Sequence, residues 1–146
     1  MKDDALKSAP RFRKVAVAET AVNTKRGGTL RTLLGPATVG ATTGFMGLAT
    51  LEPGEYVSEH YHPYSEEFLF VVTGNLTVRL DGDPVQLGPR EGILVPINVR
   101  HRLENDGGLT AEVIYHLAPL APRPDLGHVD TEPQPSAAGA ATGEAR

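Results

Sequence analysis

The sequence predicts an all-β domain built from short antiparallel strands. Sixteen Gly and twelve Pro are spread over its 146 residues, and they interrupt the chain too often for long helices. The segments between them are short and rich in β-branched residues, which favour strands. Many short strands at this spacing are typical of a sandwich or a barrel. A chain of this length is most simply one domain.

The predicted strands are short apolar runs bounded by Gly, Pro or polar turn residues. In chain order they span residues 14–18, 30–34, 45–51, 67–72, 77–80, 93–95, 101–104 and 112–117. Asp81, Gly82 and Asp83 predict a hairpin turn, because Gly82 can adopt a positive φ. No stretch repeats elsewhere in the chain, so we expect a single module.

Composition separates the barrel from its flanking segments. The chain becomes Pro-rich at Pro119 but keeps Leu120 and Val129, which predicts an extended strap packed on the barrel. From about Glu132 it is rich in Ala, Gly and Pro with nothing large to bury, which predicts disorder. The predicted organisation is a flexible segment at 1–12, a barrel at 13–118, the strap at 119–131 and a disordered tail at 132–146.

Charge and cysteine content narrow the possible functions. The formal net charge of −4 gives no reason to expect nucleic acid or an anionic membrane as a partner. Without cysteine, disulfides, thiolate nucleophiles and thiolate metal sites are excluded, so any metal must be held by His, Asp or Glu. No signal peptide or apolar membrane span is visible. We therefore expect a cytoplasmic protein.

The run from Glu67 to Val72 is apolar on both of its faces. Alternate residues of a strand point to opposite faces, so Phe68, Phe70 and Val72 share the face away from Glu67. A single-layer barrel cannot bury both faces. We expect this outer face to be covered either by another segment of the chain or by a second subunit, which would make the protein a homodimer.

Two histidines and a glutamate lie close together in the sequence. His60 and His62 are two residues apart, so on a strand they share a face and can bind one ion. Such a pair alone is more often polar surface. Glu67, however, opens an apolar run, where burial of its charge is costly unless a positive group faces it. A divalent cation would meet that requirement.

His101 lies on another predicted strand. It shares a face with Leu103, while Arg100 and Arg102 share the opposite face. Arginine side chains are mostly exposed, so the face with Arg100 and Arg102 should point to solvent and His101 should point inward. A buried imidazole needs either a hydrogen bond or a metal.

These two stretches resemble the paired motifs of the cupin superfamily. The first matches G-x5-H-x-H-x4-E-x6-G through Gly54, His60, His62, Glu67 and Gly74, and the second matches P-x-G-x2-H-x3-N through Pro96, His101 and Asn105. The second motif departs from the family pattern at three positions. Arg90 and Asn98 stand where glycine is usual, and Glu91 stands where Asp often follows. None of these departures affects a ligand position.

The resemblance implies a jelly-roll type antiparallel β-barrel in which His60, His62, Glu67 and His101 bind one metal. It also separates the two adjacent glutamates, because Glu67 falls in register and Glu66 should point outward. Three His and one Glu suit one divalent transition metal, with zinc as the first expectation and Fe, Ni, Mn, Co or Cu as alternatives. The contrasting expectation is a metal-free cupin that keeps the four side chains as a hydrogen-bonded cluster.

Longer stretches resemble the small cupin-type polyketide cyclases of aromatic polyketide biosynthesis, of tetracenomycin and resistomycin type. They read RGGTLRTLLGP, VGATTGFMG, SEHYHPYSEEFLFVVTG, VPINVRHRLEN and HLAPLAPRPDLGHVDTEP. The resemblance implies aldol-type cyclisation of a poly-β-ketone, promoted by Lewis-acid stabilisation of an enolate in an apolar barrel. The substrate would arrive free or on an acyl carrier protein. Gly44, Gly47 and Ala49 would leave room for it.

Two further histidines are candidates for catalysis. His116 shares a strand face with Glu112 and Ile114, and if that face is inward it could supply a base or an additional metal ligand. His128 belongs to the strap and could close over the barrel mouth as a general acid or base. A hydrogen-bonded strand end for His116 and a structural turn for His128 are the alternatives.

Two other functions fit the same ligand set. One is a metal-dependent cupin dioxygenase of quercetinase type, and the other is a non-catalytic small-molecule-binding or assembly protein. Cyclisation should persist without oxygen, whereas oxygenation cannot.

Overall fold

The computed structural model describes residues 11–135. Most of the predicted flexible segment at 1–12 and most of the predicted tail at 132–146 lie outside the described residues. Within residues 11–135, no helix is long and apolar enough to cross a bilayer.

The predicted all-β fold is confirmed by two antiparallel sheets of five strands each. The strands are β1 (Thr29–Leu34), β2 (Phe45–Leu51), β3 (Tyr56–Tyr61), β4 (Glu66–Thr73), β5 (Leu76–Leu80), β6 (Asp83–Leu87), β7 (Gly92–Val95), β8 (His101–Glu104), β9 (Ala111–Ala118) and β10 (Val129–Asp130). The first sheet has the order β1-β2-β9-β4-β7, and the second has the order β10-β3-β8-β5-β6. The described helices are a short α1 (Pro36–Val39) and 3-10 turns at Val17–Glu19 and Pro124–Leu126.

The two sheets bury one face of each strand against the other sheet. Branched aliphatic side chains dominate this interior, as expected for strands with a single buried face. The core consists of Ala49, Leu51, Val57, Leu69, Val71, Leu76, Val78, Leu87, Val95, Leu103 and Val113. Its packing fixes the inner faces of β3, β4 and β8, and these three strands carry the candidate ligands.

The prediction of a strand at 14–18 is wrong. This segment includes part of the 3-10 turn at Val17–Glu19, and Glu19 accepts a hydrogen bond from the backbone of Ala16. The Arg31 guanidinium, on β1, donates to the carbonyl oxygens of Val17 and Thr20. The segment is therefore held by an arginine on the outside of the sheet and adds no strand to it.

Three strands were missing from the predicted set, namely β3, β6 and β10. The first reads YVSEHY, with polar residues on both faces, and the last has two residues. The hydrophobic alternation that marks a half-buried strand is absent from both. Their pairing instead depends on tertiary contacts with β8 and with each other.

The strap follows the edge of the second sheet. Its strand β10 pairs with β3, Val129 opposite Tyr61 and Asp130 opposite His60. Glu132, placed in the tail by the sequence prediction, instead accepts hydrogen bonds from the Arg102 side chain and from the backbone N–H of Glu59. The ordered strap thus extends beyond its predicted end, because a carboxylate in the polar segment finds an arginine on β8.

The outer face of β4 is uncovered by the described chain. Phe68, Phe70 and Val72 are 45%, 42% and 37% exposed, whereas Glu67 and Leu69 on the other face are buried. The predicted alternation of this strand is therefore confirmed. No segment within residues 11–135 covers its aromatic row.

Candidate metal centre

Four of the predicted site residues meet inside the barrel. His60, His62, Glu67 and His101 are all buried, and one potential ligand atom from each lies within 4.8 Å of all the others. His60 is on β3, His62 directly follows it, His101 is on β8 and Glu67 reaches across from β4 of the opposite sheet.

A bulge in β3 aims the first histidine inward. The register between β3 and β8 shifts between Val57 and His60, where His60 pairs with His101. Without an inserted residue, Val57 and His60 would face opposite sides of the sheet. The bulge lets both side chains point inward, one into the core and the other into the site.

Left-handed backbone occurs in two loops at positions where the family pattern has glycine, and one of these loops borders the site. Arg90 and Asn98, which stand where glycine is usual, have φ values of +67° and +69°. The Asn98 N–H donates to the carbonyl oxygen of His62 at 3.0 Å, so this turn fixes a ligand's backbone. Asn is among the residues that tolerate this conformation best, which explains the departure from the family pattern at this position.

Each of the three histidines is held through Nδ1. The Nδ1–H groups of His60, His62 and His101 donate to the carbonyl oxygens of Ser58, Gly127 and Val99, at 2.7, 2.8 and 2.9 Å. A carbonyl oxygen can only accept, so Nδ1 carries a proton in each ring and Nε2 is the nitrogen left to face the other ligands. This second contact is how metal-binding imidazoles are oriented.

The buried side-chain atoms that face one another in the site are better suited to binding a cation than to bonding with one another. Among the described residues, His62 Nε2, His101 Nε2 and Glu67 Oε1 are buried without a properly directed hydrogen-bond partner. His101 Nε2 nevertheless lies 2.8 Å and His62 Nε2 3.6 Å from Glu67 Oε1. Burial alone would lower the pKa of His101, but its contact with Glu67 raises it, so without a metal a proton on His101 Nε2 can bridge the two. In the neutral state that ligates a metal, the imidazole nitrogens and the carboxylate oxygen would instead direct lone pairs at each other. A divalent ion bound between them would remove this conflict.

The protonation of the cluster suits metal ligation. Burial alone would raise the pKa of Glu67, but the contacts with His101 and His62 outweigh it, so the pKa lies well below the usual carboxyl range. Burial and then the neighbouring His101 and His128 hold the pKa of His60 well below its ordinary value. Glu67 is therefore ionised and His60 neutral, which are the states that bind a metal.

His128 lies in the site but differs from the ligands. Its ring stacks on His60, with centroids 4.2 Å apart and planes inclined by 12°. Nδ1 accepts a hydrogen bond from Arg26 Nη1 at 2.6 Å, and Nε2–H donates to Asp130 at 2.7 Å. Burial and then Arg26 lower the pKa of His128 to about 3. Both ring nitrogens therefore have hydrogen-bond partners, and His128 is held neutral between Arg26 and Asp130. Its role as a general acid or base stays a prediction.

His116 does not reach the site, which corrects its prediction as a base or ligand. On β9 it lies opposite Met46 of β2 and Phe68 of β4. Its ring contacts that of Phe68, whose side chain is on the outer face. Residues directly opposite one another in antiparallel strands share a face, so His116 points away from the four ligands.

The small residues of β2 do not provide the expected room for a substrate. A Cβ at Gly47 would overlap the ring and hydroxyl of Tyr115, and one at Gly44 would lie 2.5 Å from the carbonyl oxygen of Leu117. Ala49 is in the hydrophobic core. The glycines instead allow β9 to approach closely and the Tyr115 ring to lie inside the barrel.

Sequence reasoning missed Arg26 and Asp130. Both contact His128, yet Arg26 is 102 residues away from it in the chain. The available signals were local ones, an arginine before two glycines and an aspartate two residues after a histidine. Neither signal indicates its partner.

Comparison with known proteins places this geometry in a family. The cupin domain model matches residues 47–117. Polyketide synthase CurC of Streptomyces cyaneus is 60% identical over 122 residues, which cover 84% of this chain and 79% of CurC. The tetracenomycin polyketide synthase protein TcmJ of Streptomyces glaucescens is 49% identical over 127 residues, covering 87% of this chain and 85% of TcmJ.

A solved structure has the same fold. The polyketide cyclase RemF of Streptomyces resistomycificus superimposes with a TM-score of 0.67 over 83% of this chain and 86% of RemF, at 19% sequence identity. At that identity the likeness concerns the fold alone. With the sequence matches and the four converging side chains, it leads to one classification: the chain belongs to the cupin family, among the polyketide synthase proteins represented by CurC and TcmJ.

Proposed function

We propose that this protein is a metal-dependent polyketide cyclase that promotes regiospecific aldol-type cyclisation of a poly-β-ketone. The observation that carries the proposal is the buried convergence of three Nε2 atoms and one carboxylate oxygen. It occurs in a chain 60% identical to a polyketide synthase protein. This donor set suits one divalent transition metal, with zinc as the first candidate.

The reaction needs no oxidant. A methylene between two carbonyl groups loses a proton, its carbon bonds to a ketone carbon elsewhere in the chain, and that ketone oxygen takes up a proton. Atoms and electrons balance within the substrate. When bound at the four ligands, a divalent ion supplies Lewis acidity toward a carbonyl oxygen.

The described residues contribute position and environment. His60, His62 and His101 are fixed by their carbonyl partners before any ligand arrives. Such preorganisation avoids the cost of ordering these groups during the reaction. Beside them, Val95 and Leu117 flank Glu67 in the sheet and give the site apolar walls. An apolar wall orients a flexible chain without competing for its polar groups.

The test is product formation by metal-loaded and metal-free protein. The purified protein is analysed for its metal, treated with a chelator, reloaded, and incubated with a poly-β-ketone, either free or on an acyl carrier protein. We expect cyclised product with the loaded protein and its loss with the stripped protein or with His101→Ala. Equal product from metal-free protein would contradict the proposal.

An anaerobic repeat separates cyclisation from oxygenation. Cyclisation should proceed at an unchanged rate without oxygen, whereas a quercetinase-like dioxygenase would stop. A protein that binds the polyketide but leaves its products unchanged under both conditions would instead be a binding or assembly protein.

A further inference from the structure

The Arg26 guanidinium lies in the site without being part of the ligand set. Its Nη1 donates to His128 Nδ1 at 2.6 Å, and the His128 ring stacks on His60. One imidazole ring therefore separates this cation from a candidate metal ligand. Glu67 and Asp130 are among the groups whose charges act on it.

Two glycines after Arg26 determine where its backbone runs. Gly27 has φ +103°, and a Cβ there would overlap the carbonyl oxygen of Tyr56 on β3. Gly28 has φ +62°, and its Cβ would lie 2.8 Å from the carbonyl oxygen of Thr50 on β2. Only glycine permits both conformation and close approach at these positions. The two glycines thus allow the backbone after Arg26 to pack closely against β3 and β2, beside the site.

Most of the hydrogen-bonding capacity of Arg26 is unused within residues 11–135. A guanidinium has five N–H donors, and the contact seen in the described chain is the single one to a neutral imidazole. The Asp130 carboxylate accepts instead from His128 and Gln134. No carboxylate of residues 11–135 forms an ion pair with Arg26.

A partly buried cation normally has a carboxylate partner, because removal from water is costly. Burial lowers the pKa of Arg26. Charge interactions, the largest with Asp130 and smaller ones with Tyr115 and Glu67, partly offset this decrease. Glu67 and Asp130 bring two negative charges and Arg26 one positive charge. With a divalent ion at the ligands, the centre would have one net positive charge, which an enolate would neutralise.

We propose that Arg26 binds an oxygen of the substrate enolate and that His128 and Asp130 hold its guanidinium in place for this contact. The inference rests on the proposed function, since it names the enolate of a 1,3-diketone as the ligand. Planar N–H pairs suit such an oxygen, and hydrogen bonds from a charged donor are the strong ones. Arg26 would then favour the enolate over the neutral diketone.

The experiment measures enolate binding and needs no turnover. Benzoylacetone is added to the metal-loaded protein, and its dissociation constant and enolate fraction are read from ultraviolet difference spectra at fixed pH. Chelator-treated protein is titrated in parallel. Arg26→Gln is compared with Arg26→Lys and with Arg31→Gln, whose guanidinium bonds to backbone carbonyls on the outside of the sheet.

We expect Arg26→Gln to weaken enolate binding about 10- to 100-fold, the usual effect of losing a hydrogen bond to a charged group. Arg26→Lys should recover part of the loss because it keeps the charge, and Arg31→Gln should match the wild type. Metal content should be equal in all four proteins. Wild-type enolate affinity in Arg26→Gln would overturn the inference, and so would loss of its metal, because Arg26 would then support the centre itself.

A second measurement decides the matter if Arg26→Gln does not fold. In ¹⁵N NMR spectra, the Arg26 Nε–H signal is assigned by its disappearance in Arg26→Lys and followed as benzoylacetone is added to the wild type. A shift of this signal at the concentrations that saturate the ultraviolet change supports the inference, and an unmoved signal overturns it. The two proposals can fail separately. If benzoylacetone binding depends on Arg26 but the protein forms no cyclised polyketide, the inference stands and the proposed function fails.

Discussion

Two adjacent glutamates at the start of β4 have opposite environments. Glu67 is buried beside His101 and His62, whereas Glu66 shares the outer face with Phe68. A change of one position along a strand reverses the face. The chemical similarity of the two side chains therefore makes them a matched pair for testing the site.

Glu67→Gln should lose metal, and Glu66→Gln should not. The amide keeps the shape of Glu67 but removes its charge. Loss of even a supporting contact to a metal ligand typically costs about 10- to 100-fold in affinity, so removal of a direct ligand should cost at least as much. Competition with a chromophoric chelator measures the two affinities. Equal metal affinity in the two variants would show that Glu67 is not a ligand.

His116→Ala provides a second comparison among the histidines. Because its ring contacts Phe68 on the outer face, its removal should leave metal content and enolate binding at wild-type levels. His101→Ala, which removes a fully buried Nε2, should lose the metal. Elemental analysis of both variants checks this. Loss of metal from His116→Ala would require an inward position for this side chain.

The four converging residues were predicted from the resemblance of two short motifs to a family pattern, whereas their surroundings were not predicted. His60, His62, Glu67 and His101 occupy fixed intervals of two short motifs, and such intervals are local properties. Arg26 contacts His128 only because the fold brings the N-terminal side of β1 beside the strap. A polar contact between distant segments has no periodicity in the sequence, so this part of the site required the structure.

At the scale of elements, apolar strands were predicted well and polar ones poorly. The centre of β4 alternates clearly about Leu69 and Phe70, and its predicted faces are those seen. In β3, however, a bulge between Val57 and His60 interrupts the alternation. A bulge adds a residue without changing composition, so counting apolar positions could not locate it.

A charged network joins β8 to β5 and to the strap. Glu104 accepts from Arg79 at 3.1 Å and also from Arg102, which in turn contacts Glu132. Burial alone would raise the pKa of Glu104, but Arg79 and Arg102 lower it below the ordinary carboxyl value. Its contribution to stability is therefore complete above the unfolded-state pKa, which is about 4.3. It is lost as the pH falls through the lower folded-state pKa.

Glu104→Gln should therefore destabilise the protein more at pH 7 than at pH 3. We expect a difference on the order of 1 kcal/mol, because solvent around the partly exposed Arg79 screens the network. Urea unfolding of metal-free protein at both pH values measures it. Asp83→Asn changes an exposed carboxylate on β6 and serves as the matched control for the loss of one negative charge. A pH-independent effect of Glu104→Gln would contradict the assigned role.

At the scale of the whole molecule, the outer face of the first sheet is an exposed apolar surface. Phe68, Phe70 and Val72 form a row on β4, and Leu94 on the neighbouring β7 is 41% exposed beside it. The segment held by Arg31 lies over β1, and its residues Arg13 to Val17 line a groove that reaches Val72 at one end of the row. Contiguous apolar surface of this kind marks an interaction site in soluble proteins. The sequence indicated the row but not whether the chain itself would cover it.

We propose that a second copy of the chain covers this face in a homodimer. A two-fold contact places the same row of side chains from each protomer against the other, so aromatic meets aromatic without a separate partner surface. Phe70→Asp would bury an unpaired charge at the centre of that contact, which costs about 3–5 kcal/mol. The variant should be monomeric by light scattering at concentrations where the wild type is dimeric. Leu109→Asp adds the same charge to an exposed loop residue outside the row and should remain dimeric. A monomeric wild type or a dimeric Phe70→Asp would refute the interface.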